Sequence, residues 1–346
     1  MALLHVAWRW SKLAGVPIEA VTVNHGLRAE AVDEAAMVSS ICADLGIPHT
    51  TLHWDGKAAR GNLAAAGREA RYRLMGEWAQ ERGILGVLVG HNVDDIAETF
   101  LMRLARKSGV DGLAMMRPTF RRDGIEWARP FWHHERAELR DYLRRHDVRW
   151  IEDPTNEDDS YERPKARKVL AELAPLGITV DTLMSVATLQ SDARYTLEHY
   201  TRQEAERVVT QEQGDIVIER RVYPPVPLEI ERRLLVAAFK SVGQADHPPR
   251  NEAMLDLEIG LGTSGKHTLA GCIVTQDKHH TRIARELNAV KDLSCPSDHI
   301  WDNRWAIDGP HAPNLTIRAL GESLKDVPDW REIGLPRSSL IASPAV

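Results

Sequence analysis

Between Val87 and Gly109 the sequence reads VLVGHNVDDIAETFLMRLARKSG, which gathers His91, Asp94, Asp95 and Glu98 within eight residues. Carboxylates at the end of an apolar run can hold Mg2+ through one or two oxygens and water, the way that ion serves phosphate substrates. Arg103, Arg106 and Lys107 follow directly and can meet phosphates themselves. A plainer reading stands beside this one. Acids at a helix N-terminus are favoured by the dipole whatever the protein does, and Asp95 followed three residues later by Glu98 has the form of a capping box. Zinc is a poor fit: His133/His134 and His279/His280 are adjacent pairs, whose side chains diverge on a strand and on a helix alike.

Other strings carry chemistry at a distance. In VNHGLR an apolar strand ends in Asn24, His25 and Gly26; Gly26 allows a close backbone approach, and Arg28 offers a planar fork to a phosphate. Arg68 and Arg71 in GREARYR lie three apart and share a helix face. Asp153 and Asn156 around Pro154 are good turn chemistry and need no further role.

The elements that must position these residues alternate short strands with helices. A helix comes first, then a strand at Ile18–Asn24, a helix over 29–46, a strand at 49–54, a helix over 64–83 and the buried strand ILGVLVG at 84–90. That alternation predicts an α/β fold, an open parallel sheet with helices on both faces, and in such sheets ligands gather at the carboxyl ends of the strands. Helical patterns then run over 165–213 as a connector. Strand-like runs mixed with helices over 214–326 predict a smaller α+β domain, and 327–346 reads as a proline-spotted tail, ordered in part. The first unit is bounded at 1–164.

A length of 346 residues, 43% hydrophobic and 27% charged, fits a globular protein of more than one domain. No run is long and apolar enough for a membrane span, and no signal peptide is evident, so a cytoplasmic location is expected. Cys42, Cys272 and Cys295 are too far apart for a disulfide framework. A net charge of -6 argues against indiscriminate nucleic-acid binding. The charge is unevenly spread, however: residues 101–150 hold twelve basic against seven acidic side chains, whereas 1–100 hold nine against twelve.

Taken in order, NHGLR, GREARYR, HNVDDIAETFLMRLARKSGVDGLAMM and WIEDPTNEDDSYER resemble the tRNA(Ile)-lysidine synthetase family of N-type ATP pyrophosphatases over most of residues 1 to about 170. The C-terminal HPPRNEAMLDLEIGLGTSGKHTLAGC and RIARE are similar to that family more weakly. The resemblance implies an adenine nucleotide alpha hydrolase-like fold lacking its first strand. It implies a ligase that uses ATP to activate C2 of the first cytidine in a CAU anticodon and joins free L-lysine there. The partners it implies are that tRNA(Ile) and lysine; a homo-oligomer is compatible with it. By position the resemblance assigns Asp94, Asp95, Glu98 and Arg71 to catalysis, and Asn24, His25, Gly26, Arg28 and His91 to the nucleotide. Arg68, Arg103, Arg106, Lys107, Arg163, Lys165 and Arg167 are assigned to tRNA, and Asp95 and Glu98 to Mg2+ beside ATP.

Two departures from the family pattern stand out. The Ser-Gly-Gly-x-Asp-Ser phosphate loop is not in these 346 residues, from which poor ATP binding by the chain as written is expected. The usual Arg-Asn-Arg-x-Arg run reads Arg163, Pro164, Lys165, Ala166, Arg167, and lysine loses the bidentate geometry of arginine. Other readings are a tRNA thiolase, which would bring cysteines to the site, and a non-catalytic tRNA-binding remnant.

Overall fold

The computed structural model describes residues 1–26, 30–56, 63–151, 162–220, 225–244 and 247–346. Arg28 and the Asp153–Asn156 turn lie outside the described residues. The chain divides into two compact units, Met1–Arg194 and Tyr195–Val346.

The first unit begins α1 (Ala2–Ala14), β1 (Ala20–Asn24), α2 (Glu30–Leu45), β2 (His49–His53), α3 (Leu63–Glu81) and β3 (Gly86–Leu88). It continues α4 (Val93–Ala105), α5 (Val110–Leu113), β4 (Thr119–Arg122), β5 (Ile125–Ala128), α6 (Arg136–Arg145) and α7 (Glu162–Leu173). β1 and β2 pair in parallel with Ala20 opposite His49. β3 and β5 pair in parallel with Gly86 opposite Glu126, and β4 adds an antiparallel edge. β1 and β3 share no ladder among the described residues. They share a core instead. Tyr72, Met75, Trp78 and Ala79, at helical spacing on α3, are buried against Val87, Ile125 and Trp127, with Val21, Val23 and Leu52 packed on the same cluster.

The β4–β5 hairpin turns on Asp123 and Gly124 with φ of 51° and 77°. Both central residues are left-handed, the condition that a two-residue hairpin turn sets and that Asp-Gly meets cheaply. α4 carries the correction that matters most for the site. Its cap is Asn92, whose side chain accepts from the Asp95 N–H at 3.0 Å while Asp95 Oδ2 accepts from the Asn92 N–H at 3.0 Å. The capping box is therefore Asn92/Asp95, one turn earlier than Asp95/Glu98, and Glu98 is released from capping into the interior. Ile96, Ala97 and Phe100 pack that helix against Leu170 of α7 and against Leu183 and Ala187 of α8 (Val180–Val208).

The boundary between the units falls inside α8. The second unit contains β6 (Val209–Glu212), β7 (Asp215–Glu219), α9 (Leu228–Gly243), α10 (Asn251–Ser264), β8 (Lys266–Leu269), β9 (Cys272–Gln276) and β10 (His280–Arg285). The sheet is antiparallel in the order β6-β7-β10-β9-β8, with Phe239, Val242 and Leu257 of the helices fully buried against Cys272, Val274 and Ile283. α11 (Leu287–Val290), β11 (Ser294–Pro296), β12 (Thr316–Ala319), α12 (Arg337–Leu340) and β13 (Pro344–Ala345) complete it, with the order β11-β12-β13 in a second small sheet. Residues 327–346 are thus not a loose tail. Ala345 pairs with Arg318, Leu340 and Ala342 are buried, and the Ser339 hydroxyl donates to Asp215 at 2.6 Å.

Among the described residues no single helix is long and apolar enough to cross a membrane.

Candidate functional site

The sharp end of α4 supplies the acidic part of the site. Asp95 is spent with one oxygen on the cap, and its Oδ1 accepts from Arg163 Nη1 at 3.0 Å and Arg136 Nη2 at 3.4 Å. Glu98 lies one turn on, only 1% exposed. Its Oε1 accepts from Arg136 Nη2 and from Arg167 Nε, both at 3.0 Å. Its other oxygen, Oε2, is buried with no hydrogen-bond partner among the described residues, and Arg163 Nη1 stands 4.0 Å away. Asp94 accepts the backbone N–H of Arg136 at 2.7 Å and so ties the first turn of α6 to that of α4.

The helical period explains the choice of arginines. Arg163 and Arg167 are four apart on α7 and both reach Glu98, Arg163 also Asp95, whereas Lys165 between them is exposed on another face. Burial alone would lower Arg136, but Glu98, Asp95 and Asp94 outweigh it and hold the guanidinium above its usual value.

The strand ends deliver the rest. Asn24 is buried; its Oδ1 accepts the Gly26 N–H at 2.9 Å and its carbonyl the Trp54 N–H at 2.9 Å, so it shapes the strand exit. Gly26 has a φ of 63°, and a Cβ there would lie 3.2 Å from the Trp54 carbonyl. His25 stands edge-on to Trp54, and its Nδ1 is buried without a partner among the described residues. Burial, then Arg71, lowers the His25 pKa. His91 goes further in the same direction: burial, opposed by Asp95 and helped by Arg129, Arg68 and Arg71, lowers it to about 3. It is a neutral imidazole at pH 7, with Nδ1 also buried and, among the described residues, unpartnered. Arg71 is pulled below its usual value by burial and by Arg68 and Arg163, against Tyr72 and Asp95. One electrostatic neighbourhood therefore contains Arg71, His25, His91, Asp95 and Arg163.

Other expected residues fall elsewhere or do other work. Arg68 lies over the Tyr72 ring at 5.2 Å. Arg103 donates to the Gly112 carbonyl at 2.8 Å, and Arg106 ion-pairs with Glu162, which clips the end of α4 to the start of α7. Lys107, exposed with φ of 56°, terminates α4. Arg136 is, in sequence, one more member of the basic zone, yet it is the hub of the site. Arg129, which helps hold His91 neutral, is only 6% exposed, donates to the Arg117 carbonyl at 2.6 Å and lies over Phe120 at 4.4 Å.

Chemically, four guanidinium groups, Arg71, Arg136, Arg163 and Arg167, surround three carboxylates. The excess of positive charge suits a phosphate, and the unpartnered Glu98 oxygen suits a cationic group. The fit to a metal is poor. No group of three His, Cys, Asp or Glu is arranged to hold one among the described residues, and arginines already occupy Asp95 and Glu98.

This parallel α/β unit with its site at the strand ends is a PP-loop domain: a family model of that description matches residues 1–174. The chain is 41% identical over 347 residues to the tRNA(Ile)-lysidine synthase of Ruegeria pomeroyi, covering 100% of this chain and 83% of that protein. It is 32% identical to the enzyme of that name from Wolbachia pipientis wMel, over 95% of this chain and 79% of that one. With the Bradyrhizobium sp. BTAi1 protein of the same name the identity is 35%, over 82% and 86%. The chain belongs to the tRNA(Ile)-lysidine synthase family, whose members are ATP-using PP-loop ligases. The U34-tRNA thiolase NcsA from Methanococcus maripaludis superposes with a TM-score of 0.47 at 15% identity, covering 55% of this chain and 67% of that one, too weak a likeness to argue from.

Proposed function

We propose that the protein ligates free L-lysine to C2 of the first anticodon cytidine of tRNA(Ile) bearing CAU: the carbonyl oxygen takes AMP from ATP as pyrophosphate leaves, and the lysine amine then attacks C2, loses a proton and expels AMP. The observation that carries this reading is the buried, half-satisfied Glu98 within a ring of arginines at the end of α4. An ammonium would give its other oxygen, unpartnered among the described residues, the compensation that favours a buried carboxylate, a charge with hydrogen bonds. Arg71, Arg136, Arg163 and Arg167 supply planar donors for phosphate and for the charge that builds on the activated base. His91, held neutral, gives the nucleotide a hydrogen-bonding group without adding charge. Asn24, His25 and Gly26 line the strand exit where the nucleotide is expected in such sheets. Mg2+ belongs to this reading as the ion that ATP carries, and no step runs through it. Asp94 serves by placing Arg136. Arg68, Arg103, Arg106, Lys107 and Lys165 border the same helices as the surface that receives the anticodon arm.

The test is incorporation of labelled lysine by the purified protein carrying a Ser-Gly-Gly-x-Asp-Ser phosphate loop, which these 346 residues lack. Transfer to a CAU transcript that requires ATP, and fails when the first anticodon base is changed, is the expected result. Transfer indifferent to that base, or none with any tRNA(Ile) transcript, would refute the reading.

A further inference from the structure

In the unit Tyr195–Val346 a polar cleft of about 580 Å³ opens among the β6–β7 turn, the end of α9 and the turn Trp301–Trp305. We propose that this cleft takes one unstacked nucleobase of the RNA substrate; the proposal rests on the reading that the protein acts on tRNA.

The lining decides the ligand class. Among the described residues it has no carboxylate and no lysine, and side-chain amides dominate: Gln211, Gln213 and Gln244, with Arg304 and Trp305 at one wall. An amide presents a donor and an acceptor together, which is what the edge of a base asks for, while an indole and a guanidinium plane supply the flat surface that an unstacked base seeks. A free anion would find a single cation here, and an apolar ligand a single ring. The volume suits a small ligand, for which pockets run roughly 300–1,000 Å³.

The cleft is also built at a cost that the fold does not require. β6 and β7 are joined by Gln213 and Gly214, with φ of 49° and 85°. Gly214 has no alternative, since a Cβ there would lie 2.4 Å from the Trp305 ring. Gln213 does: the first place of such a turn normally goes to Asn, Asp or Gly, and a longer side chain in the left-handed region is strained. The same is true of Gln244, the left-handed cap of α9 with φ of 56°, where Gly or Asn is usual. Two glutamines thus occupy left-handed positions that shorter residues would hold more cheaply, and both face one cleft. Gln244 Nε2 donates to the Ser241 carbonyl at 2.7 Å, which aims its amide and leaves Oε1 without a partner among the described residues. Among the described residues the amides of Gln211 and Gln213 make no hydrogen bond.

The opposite wall is rigid. Asp302 and Asn303, φ 51° and 50°, form a tight turn in which Trp301 and Trp305 exchange backbone hydrogen bonds of 2.8 and 3.0 Å. Arg285 grips Asp302 with two bonds of 2.9 and 2.7 Å, and its remaining donor reaches the carbonyls of Gly243 and Gly271 at 2.9 and 3.1 Å. One largely covered guanidinium therefore couples the Trp305 turn to the end of α9 that carries Gln244.

The experiment is retention of unmodified tRNA(Ile) transcript on filters across a salt series, comparing wild type with the double variant Gln213→Gly/Gln244→Gly. Glycine relieves both backbones, so the melting temperature should hold or rise while two amides are removed. The expected result is roughly tenfold weaker binding with an unchanged salt slope, since no phosphate is released from the protein. Curves that superimpose would overturn the cleft and leave the tRNA reading intact. Weaker binding with a shallower salt slope would mean that the cleft holds a phosphate rather than a base, and would also overturn it. If wild type retains no tRNA at any salt, the underlying reading falls and this one with it.

Discussion

Replacing Glu98 by glutamine isolates its charge from its shape. The amide fits the same space, and its oxygen can still accept from Arg136 Nη2 and Arg167 Nε, now at 3.0 Å on Oε1. What disappears is the negative charge among three cations. With an effective dielectric of about 20, a unit pair at ~4 Å is worth ~4 kcal/mol before desolvation. Arg163 and Arg167 are 38% and 37% exposed, so each is discounted to about 1 kcal/mol or less for solvent screening. Arg136, 23% exposed, supplies the rest. Glutamine recovers part of the carboxylate's desolvation penalty, several kcal/mol for a buried ion, and retains its hydrogen bonds. The net destabilisation should be about 2–3 kcal/mol. In a unit of this size each kcal/mol moves the melting temperature by about 2–4 °C, so Glu98→Gln should melt roughly 5–10 °C below wild type in a thermal scan. Addition of L-lysine should raise the wild-type transition and leave the variant's unmoved. A variant that melts with wild type, or responds equally to lysine, would show that the arginines do not depend on Glu98 and that its open oxygen is not the ammonium site.

Three further outcomes follow from the same geometry. The His91 pKa is lowered from 6.5 to about 3; between those values the unfolded chain binds a proton that the folded chain refuses, so stability falls as pH drops below 6.5, by about 1.4 kcal/mol per unit. Urea titrations at pH 7 and 5 should show that His91→Gln flattens this acid limb, and an unchanged limb would contradict it. Gly243→Ala would place a Cβ 2.3 Å from the Ala270 carbonyl and 3.0 Å from Cys272 Sγ, where backbone cannot yield, and should cost about 3 kcal/mol by denaturant unfolding; a cost below 1 kcal/mol would mean that α9 shifts freely. Replacing Arg140, Arg144 and Arg145 of α6 together by alanine should weaken tRNA binding and reduce the log–log salt slope by roughly 0.7–0.9 for each phosphate no longer neutralised, whereas superimposable curves would remove α6 from the RNA surface.

Periodicity places β1, β2, β3 and the helices between them, because apolar alternation and helical spacing are local properties. Their ends are less legible. ILGVLVG pairs as a strand only over Gly86–Leu88, where the neighbour β5 can reach it. The β4–β5 hairpin has a signal, Asp123-Gly124 between β-forming residues, which the surrounding density of arginines masks. The capping box reads one turn too late in sequence because Asn92/Asp95 and Asp95/Glu98 satisfy the same three-residue spacing; burial of Glu98 distinguishes them, and burial is not local. Arg136 has no signal of its own. It meets Glu98 across 38 residues and looks, in sequence, like any other arginine of a basic zone. The elements of the 327–346 segment are short and proline-broken, and only their pairing with β12 and Asp215 gives them structure.

β1 and β3 are welded by side chains rather than by main chain: α3 lays Tyr72, Met75 and Trp78 across both pieces of sheet, while no ladder bond joins them among the described residues. Such a weld has its own rhythm of opening. The β1–α2–β2 stretch can lift as one cooperative body by parting apolar contacts and two polar ones, Trp8 Nε1 to the Leu45 carbonyl and Arg82 to Glu19, with its internal ladder and the Trp54 N–H to Asn24 bond intact, so its amides would exchange through a shared, low-lying excursion rather than through global unfolding. His25 and Gly26 travel with that body, while His91 and Glu98 stay with β3 and α4. The strand ends that carry these residues thus belong to two separately breathing pieces of one core, and any ligand that bridges them would also slow the breathing.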